Sequence, residues 1–262
     1  MYKIGFLGLG KMGYSILNGI INSNLYKKED ICFYAPSDET KEKYINYGIN
    51  LVSNEKSVFD SSEIIIMAIK PQKYDEALKD LDNLDYNGKY VISLAPGKSI
   101  SYLQSHIKNA TIIRAMPNTP ALVNSGVTTL APNDKIDENI CNIFKSIGTI
   151  LITTEEKIDE MIPCNGSMPA YLLEFAKAFI DCAKEYGISD NDAKELIFNS
   201  IIGSCKLALN SSDDIDTLIN NVCSKGGSTI AGLNELRDNG FNEAIKKCYN
   251  ACVKRSKELN NV

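Results

Sequence analysis

Two glycine-rich stretches, near opposite ends of the chain, combine residue types that bind anions. In "GFLGLGKMG", Gly8, Gly10 and Gly13 form G-x-G-x-x-G between an apolar run and a helical pattern. That spacing gives each glycine its own role, since Gly8 permits the tight turn, Gly10 lets the backbone approach a pyrophosphate, and Gly13 lets a helix pack closely on a strand. With Leu9, Lys11 and Met12 between them, the loop opens into a helix whose first amides and positive dipole end attract phosphate. The second stretch, "CSKGGSTIAGL" at residues 223–233, sets Gly226 and Gly227 ahead of Ser228 and Thr229. Open amides and two hydroxyls at a helix start suit a carboxylate. A plain helix cap by Ser228 or Thr229 accounts for the same letters.

The elements that must position these loops follow from periodicity. "KIGFLG", "ICFYA", "EIIIMAIK", "YVISLA", "TIIRAM" and "GVTTLA" are strand-length runs rich in β-branched and aromatic residues. Met12 to Asn22, Thr40 to Tyr47, Tyr74 to Leu81 and Ile100 to Ile107 turn an apolar face inward at helical spacing. Alternation of this kind predicts an α/β fold, a Rossmann-type parallel, doubly wound sheet running to about Ile152. Beyond Glu155 the patterns are helical throughout, from "MPAYLLEFAKAFIDCAKEYG" to "FNEAIKKCYNACVKRSKEL". The expected division is therefore 1–156, a dinucleotide-binding domain, and 157–262, an all-α domain.

The end of the second strand bears on the choice of dinucleotide. An acid there would hold the ribose hydroxyls of NAD, but the run ends in Ala35, Pro36 and Ser37, with Lys41 and Lys43 following. Without the acid a 2'-phosphate meets no repulsion, and Ser37 can donate to it. NADPH is the expected cofactor and NADH the second candidate, although Ser37 and Asp38 also suit a helix cap. Two further strand ends, Ala68, Ile69, Lys70, Pro71 and Ala95, Pro96, Gly97, would border the ribose and nicotinamide, because ligands bind outside the carboxyl ends of such sheets.

Composition narrows the class. The 262 residues carry 28 Lys+Arg against 33 Asp+Glu, a net charge of -5 with both signs scattered. No basic stripe suits nucleic acid, no apolar run reaches the length of a membrane span, and no cleavage-type leader is visible, so the expected partner is a small molecule and the expected compartment the cytoplasm. The eight cysteines fall singly without a C-x-x-C pair, and one histidine, His106, is remote in sequence. No metal site is expected.

Taken together, "GFLGLGKMG", "AIKPQ", "IIRAMPNTPALVNSGVT" and "CSKGGSTIAGLNEL" resemble the pyrroline-5-carboxylate reductase family, in order and over essentially the whole chain. The resemblance implies NADPH-dependent reduction of a cyclic imine, 1-pyrroline-5-carboxylate, to L-proline, the last step of proline biosynthesis. It implies a cofactor loop at Gly8 to Gly13, phosphate and adenine contacts at Ser37 and Asn54, nicotinamide-side contacts at 68–71 and 95–97, and a cofactor-contacting Asn221. It also implies a carboxylate loop at Gly226, Gly227, Ser228 and Thr229, and a C-terminal helical domain that dimerises, in a homodimer or a ring of dimers. Thr229 is the candidate donor to the ring nitrogen and Ser167 a further substrate contact.

The chain departs from the family pattern at four places. Asn165 and Met168 stand where the family has serine and glycine in its Ser-Gly-Ser-Gly-Pro-Ala-Tyr segment, Lys225 replaces a proline, and Pro96 an alanine. These departures keep two alternatives open, a reductase of another cyclic imine acid and a dinucleotide-binding regulatory protein without catalysis. A 2-hydroxy or 3-hydroxy acid dehydrogenase shares the two-domain plan but wants an acid in the crevice, and no histidine is positioned for it.

Overall fold

A computed structural model describes residues 1–81 and 84–259. The chain divides into two compact units, Met1–Pro169 together with the chain end from Cys252, and Ala170–Ala251.

The first unit is built on eight strands in the order β3-β2-β1-β4-β5-β6-β7-β8. They are β1 (Tyr2–Leu7), β2 (Ile31–Tyr34), β3 (Asn50–Leu51), β4 (Ser62–Met67), β5 (Tyr90–Ser93), β6 (Thr111–Pro117), β7 (Gly126–Pro132) and β8 (Gly148–Ile152). Among the described residues these α-helices accompany them: α1 (Lys11–Asn22), α2 (Asp38–Asn46), α3 (Glu55–Ser61), α4 (Tyr74–Leu78), α5 (Ile100–His106), α6 (Glu138–Lys145) and α7 (Glu155–Ile158). Strand order reverses at β1, which pairs with both β2 and β4. That reversal opens the crevice in which doubly wound sheets bind ligands. Register brings the carboxyl ends of the central strands level, with Leu7 opposite both Tyr34 and Met67, and Met67 opposite Ser93.

Strand residues alternate between two buried clusters, as a period of two requires. Ile4, Phe6, Ile64 and Ile66 pack under α1 with Ile16, Leu17 and Ile20, while Leu7, Ile65, Met67 and Val91 face Val58, Phe59, Leu78 and Leu103. The doubly wound sheet is mostly parallel, as expected, with one antiparallel pair, β6 and β7. A parallel return requires a crossover of about a dozen residues or more, and the Asn118 to Ser125 connection, a 3-10 turn over Thr119–Val123, is too short for one. β8 then pairs parallel with β7.

The second unit is helical. It contains most of α8 (Met168–Glu185), then α9 (Asp190–Asn210), α10 (Ile215–Val222), α11 (Ser228–Asp238) and the first part of α12 (Phe241–Leu259). Within it Ala176, Ile180 and Ala193 are the buried apolar residues, whereas Leu173, Phe179, Leu196, Ile202, Leu207 and Leu209 are exposed. Among the described residues, no helix is long and apolar enough to cross a membrane.

Candidate functional site

At the crevice the three glycines of the first loop have three different surroundings. Gly8 has φ +79, and a Cβ there would stand 2.8 Å from Ile69 Cγ2. A Cβ on Gly13 would meet the Gly8 carbonyl at 2.9 Å and Ala68 Cβ at 3.1 Å, so this glycine sets the approach of α1 to β4. A Cβ on Gly10 would meet nothing within 4 Å. The space over Gly10 is therefore open toward α1, whose first turn has no side-chain cap and no acidic residue. Free amides beside an open space fit a pyrophosphate. The Leu9 side chain is buried in the core, so Leu9 offers its backbone alone, and its carbonyl accepts from the Tyr44 hydroxyl at 2.9 Å. Burial pushes the Tyr44 phenol upward, which keeps it a donor.

Ser37 is the N-cap of α2, its Oγ accepting from the Thr40 amide at 3.4 Å. The cap uses a lone pair and leaves the hydroxyl proton to donate outward. Lys41 is tied to Asp38 at 2.9 Å, and Lys43 lies 5.1 Å from the Tyr14 and Tyr44 ring centroids. Asn54 caps α3, its Oδ1 taking both the amide and the hydroxyl of Ser57 at 2.8 Å. A cavity of about 130 Å³ beside the loop is lined by Gly8, Tyr34, Pro36, Glu55 and Ile69.

The other strand ends flank the same crevice. Ala68 donates to Leu7 O at 2.8 Å, Ile69 leans on Gly8, and exposed Lys70 precedes a short 3-10 turn started by Pro71. Tyr74 ties β4 to β5, its hydroxyl 3.2 Å from Met67 O and 2.9 Å from Ser93 Oγ. Desolvation drives this phenol far above its ordinary range and fixes it in the neutral form. Ala95 and Gly97 are buried and Pro96 is exposed. Gly97 has φ +79, and a Cβ there would come within 2.6 Å of the Leu259 carbonyl at the end of α12.

The "MPNTPALVNSG" segment is anchored by amides. Asn118 accepts from the Val127 amide at 2.8 Å and donates to Asn165 O at 3.3 Å. Asn165, 4% exposed, donates to Met116 O at 2.6 Å, and its own Oδ1 is buried with no partner among the described residues. The asparagine at this departure from the family pattern thus points into the protein. Ser167 Oγ lies 3.3 Å from Cys252 Sγ, and Met168 opens α8 with its side chain exposed. His106 ends α5 with its ring edge-on to Tyr102, 5.3 Å between centroids.

In the helical unit the second glycine loop leads into α11. Gly226 has φ +72, a left-handed conformation that a residue with a Cβ adopts at a cost. The N-cap is Gly227, with no side-chain cap, so the alternative of a cap by Ser228 or Thr229 is set aside. Both hydroxyl residues occupy the first turn, exposed, beside amides that precede the first intrahelical acceptor pair, Ala231 N to Gly227 O. Gly227 packs on Ser224, whose Oγ would lie 2.4 Å from an added Cβ. Ser228 and Thr229 line one end of a groove of about 770 Å³ whose other walls include Phe179, Leu233, Leu236 and Phe241. Asn221 is exposed on the last turn of α10.

The sequence patterns do not single out Tyr44, Glu55 or Asn118. Tyr44 reaches the glycine loop from α2, and nothing in the spacing of residues 9 and 44 announces that bond. The cavity position of Glu55 depends on α3, itself unexpected from its short pattern.

Comparison with known proteins adds to this geometry. Residues 155–259 match the family model described as pyrroline-5-carboxylate reductase dimerisation, and residues 3–97 match NADP oxidoreductase coenzyme F420-dependent. The chain is 33% identical over 263 residues to pyrroline-5-carboxylate reductase of Escherichia coli (strain K12), with 98% of each chain covered. It superposes on Plasmodium falciparum pyrroline carboxylate reductase with NADP bound at a TM-score of 0.88 and 30% identity, covering 99% of this chain and 98% of that one. For the Streptococcus pyogenes 1-pyrroline-5-carboxylate reductase the TM-score is 0.87 at 26% identity, with 98% of each chain covered.

Proposed function

The chain belongs to the pyrroline-5-carboxylate reductase family, and we propose that it reduces 1-pyrroline-5-carboxylate to L-proline with NADPH. In this reading residues 1–156 hold the dinucleotide, and 157–262 hold the substrate and dimerise. NADPH, when bound, supplies the hydride. The chain's own residues bind, orient and hydrogen-bond. Gly8 to Gly13 present amides to the pyrophosphate. The Ser37 hydroxyl donates to the 2'-phosphate and Asn54 Nδ2 faces the adenine, while residues 68–71, 95–97 and Asn221 border the ribose and nicotinamide.

The single observation that carries the substrate reading is the start of α11. A helix capped by backbone alone, with Ser228 and Thr229 exposed in its first turn, is arranged for a carboxylate rather than for its own closure. Gly226 and Gly227 keep that approach clear of side chains. A cyclic imine is basic enough to be protonated near neutral pH and is then already electrophilic, so the protein needs no strong acid. Thr229 donates to the ring nitrogen and holds the ring in place, with Ser167 as a further contact.

The expected assembly is a cytoplasmic homo-oligomer, at least a dimer, because the helical unit leaves large apolar side chains exposed that a second copy can cover. A ring of dimers is one closed way to repeat such contacts.

The test is to mix the purified protein with pyrroline-5-carboxylate and follow NADPH oxidation, with NADH in parallel. Rapid oxidation yielding proline, faster with NADPH, is the expected result. NADPH binding without turnover on this imine, but with turnover on another cyclic imine acid, would replace the substrate. Thr229→Ala should cut kcat by about a hundredfold while leaving NADPH affinity within about twofold, the usual scale for losing a hydrogen bond to the reacting centre. An unchanged kcat would remove Thr229 from this role.

A further inference from the structure

Arg114 interrupts an otherwise apolar stretch of β6, between Ile113 and Ala115, and is 3% exposed. Its guanidinium meets two carboxylates, Asp159 at 3.1 and 3.4 Å through both terminal nitrogens and Glu155 at 3.3 Å. Each carboxylate carries a second bond. Glu155 Oε1 accepts from the Ile100 amide at 2.7 Å, and Asp159 Oδ1 accepts from the Ser256 hydroxyl at 3.1 Å. Ser256 is the buried residue of α12.

With Arg114 and Asp159 buried and Glu155 partly exposed, this ion cluster is a poor source of stability, since apolar residues of similar volume often do as well or better. What this cluster provides is position. Ile100 opens α5 just beyond Gly97, and Ser256 precedes Leu259 by less than one turn of α12. The Leu259 carbonyl is the group against which Gly97 packs, so closely that a Cβ would not fit. Both links therefore converge on the Ala95 to Gly97 loop. One follows the chain back from Ile100 and the other runs through Leu259 to Gly97.

We propose that Arg114, Glu155 and Ser256 are positioning residues that fix this loop for the nicotinamide half of the cofactor, an inference that rests on the reading of residues 95–97 given above. Arg114 holds the two carboxylates at a set separation. Glu155 then pins the entry of α5, and Asp159 with Ser256 pins the end of α12 under Gly97. None of the three is among the residues assigned above to the dinucleotide.

The test uses the full chain and two ligands, NADPH and 2',5'-ADP, the latter carrying the adenosine half without the nicotinamide. Titration calorimetry on wild type, Glu155→Ala, Glu155→Gln and Ser256→Ala gives the Kd values. Glu155→Ala should weaken NADPH about tenfold and leave 2',5'-ADP within about twofold, whereas Glu155→Gln, which retains an acceptor for Ile100, should recover most of the loss. Ser256→Ala should weaken NADPH about threefold with 2',5'-ADP unchanged, and it carries the test if Glu155→Ala does not fold. Equal weakening of both ligands, or none, would reduce the cluster to a structural support and overturn the proposal. A wild type that binds NADPH no more tightly than 2',5'-ADP would instead overturn the assignment of residues 95–97, and the proposal with it.

Discussion

The sheet unit and the helical unit solve the problem of burial in opposite ways. In the first, the central strands send alternate residues into two cores, and Ile4, Phe6, Ile65, Ile66 and Val91 are fully excluded from solvent. In the second, small residues dominate the buried apolar set, Ala176, Ile180 and Ala193, while Phe175, Phe179 and Leu196 stay exposed. The first unit buries its central strands within one copy, and the apolar residues it exposes, such as Val123, Leu151 and Ile152, lie toward the β7-β8 side. The other leaves large apolar side chains uncovered, and lies within residues 155–259, which match a dimerisation model. The two glycine loops inherit this contrast: the first is locked by backbone and Tyr44, the second opens onto a groove walled by side chains that want cover.

The sharpest way to break the contrast is to charge the uncovered face. Leu196 and Leu207 are exposed by 61% and 58%, about three turns apart along α9 and so on one side of it. A Leu196→Asp, Leu207→Asp double variant should be monomeric by light scattering and lose about a hundredfold in activity, the cost of a misplaced substrate loop. NADPH affinity should stay within about threefold, because the sheet unit keeps its own core. An active oligomer would show that the exposed face is not what holds copies together.

Next in size is a pair of changes within the first loop. Gly10→Ala adds a methyl where nothing lies within 4 Å, so Tm should hold while NADPH binding weakens about tenfold through contact with the pyrophosphate. Gly13→Ala drives a methyl against the Gly8 carbonyl at 2.9 Å, and should lower stability by about 1–3 kcal/mol as well. Identical effects of the two on Tm would contradict the separate roles assigned to these glycines.

The strand, glycine turn and helix that carry the first loop were legible from spacing, since G-x-G-x-x-G between such patterns leaves few other arrangements. The helical class of residues beyond 155 was legible as well, from apolar periodicity. The features that were not legible depend on contacts distant in sequence or on elements too short to show a period. β3 is Asn50–Leu51 alone, and α3 runs from Glu55 to Ser61 behind its Asn54 cap. The reversal of β7 lies in the length of the preceding turn, because the composition of "GVTTLA" carries no direction. Arg114 did leave a signal, a cation inside "TIIRAM" that burial would oblige to pair, but its partners stand 41 and 45 residues away. The N-cap of α11 is Gly227, one residue before the hydroxyls, because a glycine N-cap nearly matches a threonine one, and the letters do not separate them.

A smaller effect tests the second loop directly. Gly226→Ala must either adopt φ +72 with a Cβ or shift the turn, at a cost of about 1–2 kcal/mol. Because that Cβ would touch nothing within 4 Å, the strain is conformational rather than steric. KM for the imine should rise about fivefold with NADPH affinity unchanged, which would separate carboxylate binding from cofactor binding. A rise in NADPH Kd instead would move the loop's role to the cofactor.

The smallest expected effect concerns Ser37, where a cap and a phosphate contact share one hydroxyl. Ser37→Gly is the informative change, because glycine at an N-cap costs only a few tenths of a kcal/mol, about what thermal melting resolves, whereas it deletes the donor entirely. The cap bond it removes is long, 3.4 Å from the Thr40 amide, so little stability is at stake. If Ser37 donates to the 2'-phosphate, the NADPH over NADH preference in kcat/KM should fall about threefold, since loss of a single charge-assisted hydrogen bond at an exposed site is partly replaced by water. If the preference does not move while Tm falls, Ser37 is a cap alone. Selection for the phosphate would then have to come from Lys41 or Lys43, the first held by Asp38 and the second resting against tyrosine rings.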